Sequence, residues 1–272
     1  MTNAYKFLSD KYLSPVKSIC ANKLGIDALQ IDEVYNFFHS TFYSENAILK
    51  DKFGYVPIQN LNKFNSYLLK NKTSLGVDLP VWFTKPESKR LKIFLLSMDP
   101  LRTTDENING KASLNSPFSI HQKKGNNYFN SIEKLAQTFD LYVTDVYKLF
   151  YRDSDNLKSV SNKNPEFIAL SIHLEILKAE LSMFQPDFIL CLGKHAIGGL
   201  AKLDNFKPNS SIVSKLTNYN FQGIPTFAIP HASGVASNWA KKFMQINGAK
   251  EYNQKNYILD ATELIINFIN KK

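Results

Sequence analysis

The sequence contains little cysteine and has no long apolar stretch. Its only two cysteines, Cys20 and Cys191, exclude a four-thiolate zinc or iron–sulfur site, and Cys191 is expected to be a buried thiol. The longest apolar runs are short, such as Phe188 to Leu192, whereas a membrane span needs about 20 apolar residues. Met1 to Ser14 lack the apolar core of a signal peptide. These absences predict a cytoplasmic protein that does not enter a membrane.

Arginine is scarce although the chain is basic. The 33 basic and 24 acidic residues give a net charge of +9, but only three of the basic residues are arginine. A chain rich in Lys and Asn can reflect an AT-rich genome, so the total alone is weak evidence for a nucleic-acid partner. From Lys194 to Lys272 ten lysines stand against four acidic residues, a local charge of +6. This C-terminal excess favours an anionic partner.

The first 90 residues have the pattern of helices. Apolar residues recur at spacings of three and four in two long segments and one shorter segment, which predicts amphipathic helices. These segments are Phe7–Ile19, Ile31–Phe42 and Leu61–Leu69. We therefore predict a helical N-terminal extension over residues 1–90, followed by a separate domain over residues 91–272.

Residues 91–272 alternate between short apolar strands and helices. The four predicted strands are Leu91–Met98, Leu141–Val146, Asp187–Leu192 and Ile224–Ile229. Alternation of this kind is typical of a parallel sheet with helices on both faces. The predicted fold class is therefore α/β, a three-layer α/β/α arrangement around a central four-stranded parallel sheet.

Polar residues stand at the end of each predicted strand. These residues are Asp99, Asp145, Gly193-Lys194 and His231. Sites in open parallel sheets lie beyond the carboxyl ends of the strands. The sequence thus predicts a site along this edge.

Four segments together resemble the motifs of the uracil-DNA glycosylase superfamily. They are LLSMDPLRTTDENINGKASLNSPFSI from Leu95, LYVTDVYK from Leu141, FQPDFILCLGKHAIGGL from Phe184 and IPTFAIPHASGVASNW from Ile224. The resemblance covers about residues 90 to 250. It implies a uracil-DNA glycosylase-like fold and an enzyme that flips a base out of double-stranded DNA.

The resemblance assigns catalytic roles to Asp99 and His231. A carboxylate beside the sugar stabilises an oxocarbenium-like transition state and orients the attacking water, which is the role implied for Asp99. A donor at O2 of the departing base lowers the barrier, which is the role implied for His231. Phe118 matches the Phe that stacks on the flipped ring. Asp99 in a turn and Phe118 in the core are the structural alternatives.

Further residues match positions that contact the DNA. Val235 stands where the family places an apolar wedge that fills the gap in the stack. Ser233 and Ser237 are candidates for phosphate binding, and Lys194 at a helix start adds positive charge. Arg102 follows the first motif and is a candidate phosphate contact. Lys241 and Lys242 are also candidates, although each is equally consistent with a solvated surface residue.

Two departures from the family pattern concern the base. Asp145 replaces the base-reading Asn, and an ionised Asp accepts hydrogen bonds only, so it favours the N4 amino group of cytosine over O4 of uracil. A protonated Asp145 would also suit cytosine, and the structural alternative is that Asp145 caps a turn. Leu101 replaces a Tyr that crowds C5. Ser97 and Met98 stand where the family has Gly and Gln.

The sequence therefore predicts a monofunctional DNA glycosylase, a monomer without metal or cofactor, that removes a 5-substituted cytosine and leaves an abasic site. Hydroxymethylated or glucosylated cytosines of phage DNA are the suggested substrates, which implies phage defence. Water is the expected nucleophile, and Lys148 and Lys194 are possible amine nucleophiles that nothing singles out. One alternative is a uracil or hydroxymethyluracil glycosylase in repair. The other is a catalytically silent DNA- or protein-binding module on the same fold.

Overall fold

The computed structural model describes residues 5–44, 54–57, 74–85, 89–98, 111–122, 127–152, 171–208, 215–232, 236–249 and 251–271. Within these ranges eleven strands are present. They are β1 Lys6–Phe7, β2 Gly54–Pro57, β3 Ser74–Asp78, β4 Val81–Thr84, β5 Lys92–Ser97, β6 Lys111–Asn115, β7 Asp140–Asp145, β8 Phe150–Arg152, β9 Phe188–Leu192, β10 Tyr219–Phe221 and β11 Ile224–Ile229. The predicted helix Leu61–Leu69 lies outside the described residues.

Seven α-helices are present in the same ranges. They are α1 Asp10–Ile19, α2 Ala28–Tyr43, α3 Asn127–Thr138, α4 Ser171–Phe184, α5 Lys194–Asp204, α6 Ser237–Ile246 and α7 Tyr257–Asn270. A π-helical turn, Cys20–Leu24, extends α1 and ends at Gly25, whose φ of 78° suits glycine. The carboxylate of Asp27 then accepts hydrogen bonds from the amides of Leu29 and Gln30, which caps the start of α2.

The four predicted strands form the parallel centre of the main sheet. They lie in the order β7-β5-β9-β11, and each pairs with its neighbour in parallel. The side chains of β5, β7 and β9 are almost entirely buried, as expected for a sheet covered on both faces, whereas half of those of β11 are partly exposed. All four strands therefore end at one edge, where the site was predicted.

The expectation of a four-stranded sheet is corrected to seven strands. Antiparallel strands β4 and β1 extend the sheet beyond β7, and β10 extends it beyond β11. These additions are two to four residues long, too short for a period-two pattern to be recognised. The expectation of a purely helical N-terminal extension is also corrected, because β1 and β4 precede residue 91 and belong to the main sheet.

Helix α2 covers the edge of the main sheet and contacts both of its faces. Tyr35 lies 5.6 Å from Trp82, ring centroid to ring centroid, on one face. Phe42 lies 6.0 Å from Phe83, the next residue of β4, and 5.7 Å from Phe129 of α3 on the other face. Successive residues of a strand point to opposite faces, so α2 closes the core around this edge.

A second sheet was not predicted. Its order is β2-β6-β3-β8, with β6 and β3 parallel and the outer pairs antiparallel. It joins segments between residues 54 and 152 that are far apart in sequence, so local patterns do not reveal it. No helix within the described ranges is long and apolar enough to cross a membrane. Cys20 and Cys191 are both buried free thiols.

Candidate active site

The carboxyl ends of β5 and β7 bring Ser97 and Asp145 together. The two residues are paired in the strand register, and the Ser97 hydroxyl donates a hydrogen bond to Oδ1 of Asp145. The amide of Val146 donates to the carbonyl of Ser97 at 3.0 Å, which fixes the backbone just past the pair. Asp145 is 2% exposed. The structure therefore places Asp145 at the predicted strand end, where one of its carboxylate oxygens accepts a hydrogen bond from Ser97.

Alternation along β7 decides which face Asp145 occupies. The hydroxyl of Thr144, the preceding residue, lies 3.3 Å from the carboxylate of Glu180 in α4. Asp145 consequently points to the opposite face of the sheet. The turn that carries Phe118, Pro117–Ser119, contacts β7, which brings the candidate stacking ring to the same strand as Asp145.

His231, Phe118 and Tyr128 form an aromatic cluster beyond the strand ends. Phe118 stacks on Tyr128 with 4.9 Å between ring centroids. The His231 ring lies 6.0 Å from Phe118 and 5.6 Å from Tyr128. All three are partly exposed. Strands β7 and β11 are separated by β5 and β9, so about 14 Å lies between Asp145 and the His231 strand, enough for a nucleoside.

Phe118 has an unusual backbone conformation. Its φ is 56°, and Ser119 follows with a φ of 50°, in the left-handed region where residues with side chains pay a steric cost. Side chains around the turn hold this shape: the Asn115 amide donates to Ser119 Oγ at 3.0 Å, and Ser116 Oγ lies 2.6 Å from Nδ1 of His121. Strain held in place by surrounding bonds is typical of functional positions.

Gly193 allows β9 to approach His231. Its φ of 91° is one that side chains rarely adopt, and a Cβ at this position would lie 3.3 Å from Cβ of His231. The Gly193 amide donates to the carbonyl of Ile229 at 2.8 Å. The motif turn after β9 thus supports the backbone and ring of His231.

Burial lowers the pKa of His231, and the nearby His195 lowers it further. Burial also lowers the pKa of His195, with Lys194 and Lys202 as additional causes. A depressed pKa keeps the His231 imidazole neutral near pH 7. A neutral imidazole can donate one hydrogen bond from its protonated nitrogen, which is the property needed opposite a departing base oxygen.

The remaining predicted residues divide into those that are described and those that are not. Lys194 begins α5 and is exposed, Ser237 begins α6 and is partly buried, and Lys241 of α6 is exposed. The others lie outside the described residues: Asp99, Leu101, Arg102, Ser233 and Val235.

Lys148 does not belong to the site. Its ammonium is 2.7 Å from the Glu180 carboxylate and 2.6 Å from the Thr144 hydroxyl, and the ion pair is almost fully buried. It lies on the face of β7 opposite Asp145, so the amine at this position has no access to the side of the sheet on which Asp145 lies. Within the described residues, no three His, Cys, Asp or Glu side chains are grouped to hold a metal ion.

A model of the uracil-DNA glycosylase superfamily matches residues 83–255, more than half of the chain. The chain belongs to the uracil-DNA glycosylase superfamily. Its members are typically DNA glycosylases, which hydrolyse the bond between base and sugar. Comparison with curated proteins finds no significant match.

The uracil-DNA glycosylase match contains the whole candidate site and leaves α1, α2, α7 and β1 to β3 outside it. Sequence reasoning did not identify Tyr128, His121 or Ser116 as parts of this site. Only the tertiary fold brings Tyr128 to Phe118 and His231, and no sequence signal marked it. Ser97 was noted only as a departure from the family Gly, although a polar residue at the end of an apolar strand was a usable signal.

Proposed function

We propose that the protein is a monofunctional DNA glycosylase that removes a cytosine-type base, substituted at C5, from double-stranded DNA. Membership of the superfamily supports a DNA substrate and glycosidic hydrolysis. The observation that carries the choice of base is the Asp145 carboxylate, buried at the end of β7 and bonded by the Ser97 hydroxyl.

The hydrogen bond from Ser97 supports an acceptor role for Asp145. A hydroxyl that donates to a carboxylate favours the ionised form, whereas burial favours the neutral form, and both forms suit a cytosine edge. The carboxylate then presents acceptors to the base edge, which match the N4 amino group of cytosine and oppose O4 of uracil. An amide at the same place would present a donor as well, which uracil requires.

His231 and Phe118 are assigned to the leaving base. In the proposed reaction water attacks C1′, the C1′–N1 bond breaks, and its electron pair leaves with the base, whose charge gathers at O2. The neutral imidazole of His231 donates a hydrogen bond to O2, and the Phe118 ring stacks on the flipped base. Asp99 is proposed, from its place in the family motif, to stabilise the sugar cation and orient the water.

The C5 substituent and the biological setting are proposed from the sequence alone. Leu101 in place of a Tyr leaves room for a substituent at C5, and an enzyme that removed ordinary cytosine would attack the DNA of its host. The substrates proposed are therefore the hydroxymethylated and glucosylated cytosines of phage DNA, and the proposed setting is phage defence in the cytoplasm. The proposed active form is a monomer that needs no cofactor.

The test is a panel of duplex oligonucleotides containing one U, C, 5-hydroxymethyl-U, 5-hydroxymethyl-C or glucosylated 5-hydroxymethyl-C. Abasic sites are scored by alkaline strand cleavage. We expect cleavage at a substituted cytosine, and Asp145→Asn is expected to move the preference toward the uracil-type bases. The matched control is Asp204→Asn, an exchange of the same kind at the end of α5.

Two results would contradict the proposal. Excision of uracil-type bases alone by the wild-type protein would make it a uracil or hydroxymethyluracil glycosylase. No abasic product from any base, with DNA affinity unchanged by Asp99→Ala, would make it a binding module.

A further inference from the structure

Helix α6 exposes a tryptophan that the proposed reaction does not use. Trp239 is 57% exposed, whereas Trp82, the other tryptophan of the chain, is fully buried. An indole ring left in water forgoes a large apolar burial. The buried face of α6, Ala240, Phe243 and Met244, anchors the helix without the help of Trp239. The exposed ring is therefore available for a contact outside the fold.

The helix that contains Trp239 is cationic. Lys241 and Lys242 are exposed on the same helix, and Ile246, 43% exposed, lies two turns further along the Trp239 face. The sequence from Ala236 to Ala249 contains no acidic residue. Lys242, three residues after Trp239, lies beside it on the helix surface, whereas Lys241, two residues after it, lies on the opposite side of the helix. An exposed aromatic ring beside a lysine is complementary to a polyanion that carries aromatic rings.

The helix begins close to the candidate active site. His231 follows β11, and Ala236, which precedes α6, is only four Cα–Cα steps along the chain from Ala232. A chain of that length spans at most about 14 Å. The hydroxyl of Tyr257 donates to the carbonyl of Pro230 at 2.9 Å, which fixes the start of this connection on α7. Trp239, in the first turn of α6, is thus held near the edge where the DNA is expected.

We propose that Trp239 is a stacking platform for an unstacked DNA base outside the base-reading pocket, with Lys242 on a neighbouring phosphate. This inference rests on the proposed function in that the ligand is DNA. Every base has a π face, so the contact is independent of sequence, and Lys242 adds an affinity that falls with salt. The platform would hold the strand beside the flipped nucleotide.

A second copy of this chain is a poorer occupant for the same surface. A two-fold dimer places the same patch of both subunits face to face. Such an arrangement would bring Lys242 of one subunit close to Lys242 of the other, and like charges in contact are unfavourable. DNA supplies the opposite charge.

Intrinsic fluorescence tests the proposal without any base excision. Because Trp82 is buried, acrylamide quenching of the full-length protein reports mainly on Trp239. Titration with a 12-nucleotide single strand of ordinary bases is expected to quench the emission and to protect Trp239 from acrylamide. Trp239→Ala should raise the Kd for this strand by about 5- to 100-fold. Trp239→Phe, which keeps a ring, should raise it less and should lose the quenching.

Two further variants test whether the effect is specific to Trp239 and how far binding depends on charge. Leu29→Ala, at an apolar residue of α2 that is 74% exposed, should leave DNA affinity unchanged. Lys242→Ala should lower the slope of log K against log salt by about 0.7 for a single strand. Emission unaltered at saturating DNA, or wild-type affinity in Trp239→Ala, would overturn the proposal.

The other possible occupants and the failure of the proposed function give distinct results. A protein that sediments as a dimer, and as a monomer after Trp239→Ala with DNA affinity intact, would assign the surface to a second copy. Trp239-dependent binding to anionic vesicles but not to DNA would assign it to a lipid surface. Quenching by DNA in a protein that excises no base from the oligonucleotide panel would refute the glycosylase and leave the platform standing.

Discussion

The Ser97 hydroxyl at the end of β5 donates a hydrogen bond to Oδ1 of Asp145 at the end of β7. The bond joins two departures from the family pattern, since Ser97 stands in place of a Gly and Asp145 in place of an Asn. A glycine has no hydroxyl to orient a neighbouring carboxylate. Ser97 is therefore a positioning residue for the proposed base reader, and the two substitutions are interpreted together.

Ser97→Ala is expected to lower kcat/KM on the substituted cytosine by about 10- to 100-fold, because a hydrogen bond to a charged group contributes about 1.5–3 kcal/mol. Ser97→Thr, which keeps the hydroxyl, should retain most of the activity. In an Asp145→Asn background the effect of Ser97→Ala should largely disappear, since the two residues act as one unit. Additive losses in the double variant would contradict the coupling.

Protonation of His231 is expected to make stability depend on pH. Its pKa in the folded protein is lowered, first by burial and then by His195, from the ordinary value of 6.5. Below about pH 6.5 the unfolded chain binds more protons than the folded one, so the free energy of unfolding falls as the pH falls through this window. Denaturant titrations from pH 7.5 to 5 should show a smaller decline for His231→Gln than for the wild type.

The control for this titration is His39→Gln, at an exposed residue of α2. The free energy of unfolding of this variant should decline with falling pH as that of the wild type does. A second variant, His195→Gln, should raise the pKa of His231 by removing a repulsive neighbour, measured by NMR titration of the imidazole. An unchanged or lower pKa in that variant would contradict the assigned cause.

The sequence predicted the centre of the fold because its strands are continuous apolar runs. Strand β11 has the predicted bounds, and β7 differs by one residue at each end. Strands buried on both faces carry this signal without help from the rest of the chain. Two-residue β1 and four-residue β4 carry no comparable signal, and their pairing is decided by the aromatic core beneath α2.

The site was predictable to the extent that it depends on strand ends. Asp145 and His231 follow strands that the apolar pattern locates. Tyr128 and His121 depend on contacts between distant segments: His121 stacks on Phe38, 83 residues earlier, with 4.4 Å between ring centroids. Contacts of this separation are fixed by the tertiary fold, which local sequence patterns do not encode.

The buried pair of Lys148 and Glu180 is expected to be costly to break. Lys148→Met should lower the free energy of unfolding by about 3–5 kcal/mol, because it leaves a carboxylate buried without its cation. Lys148→Met combined with Glu180→Met should cost less than the single change. Lys194→Met, at an exposed lysine, is the control and should shift stability by less than about 0.5 kcal/mol.

The cost of Lys148→Met should also depend on pH. Burial raises the pKa of Glu180, while Lys148 opposes the rise. Without Lys148 the pKa of Glu180 rises further, so Glu180 takes up a proton in the folded variant as the pH falls. The free energy of unfolding that the variant loses relative to the wild type therefore becomes smaller from pH 8 to pH 5. Equal deficits at both pH values would show that Glu180 is not ionised beside Lys148.

The turn that carries Phe118 is expected to depend on a buried clamp beneath it. Ser116 Oγ and His121 Nδ1 lie 2.6 Å apart, both residues are buried, and the His121 ring packs on Phe38 of α2. Ser116→Ala and His121→Phe should each lower the free energy of unfolding by about 1–3 kcal/mol, since each leaves a buried polar partner unsatisfied. Ser18→Ala, at an exposed serine of α1, should have little effect.

Hydrogen exchange separates a clamp on the turn from a general loss of stability. The amides of Ser119, Ile120 and Gln122 donate within the turn at 2.8 to 3.2 Å. In His121→Phe they should exchange faster than in the wild type, while amides of β9 change no more than the global stability requires. Because the turn holds Phe118 at a φ of 56°, kcat for base excision should fall with it. Unchanged exchange in the turn would show that His121 supports only the packing of α2.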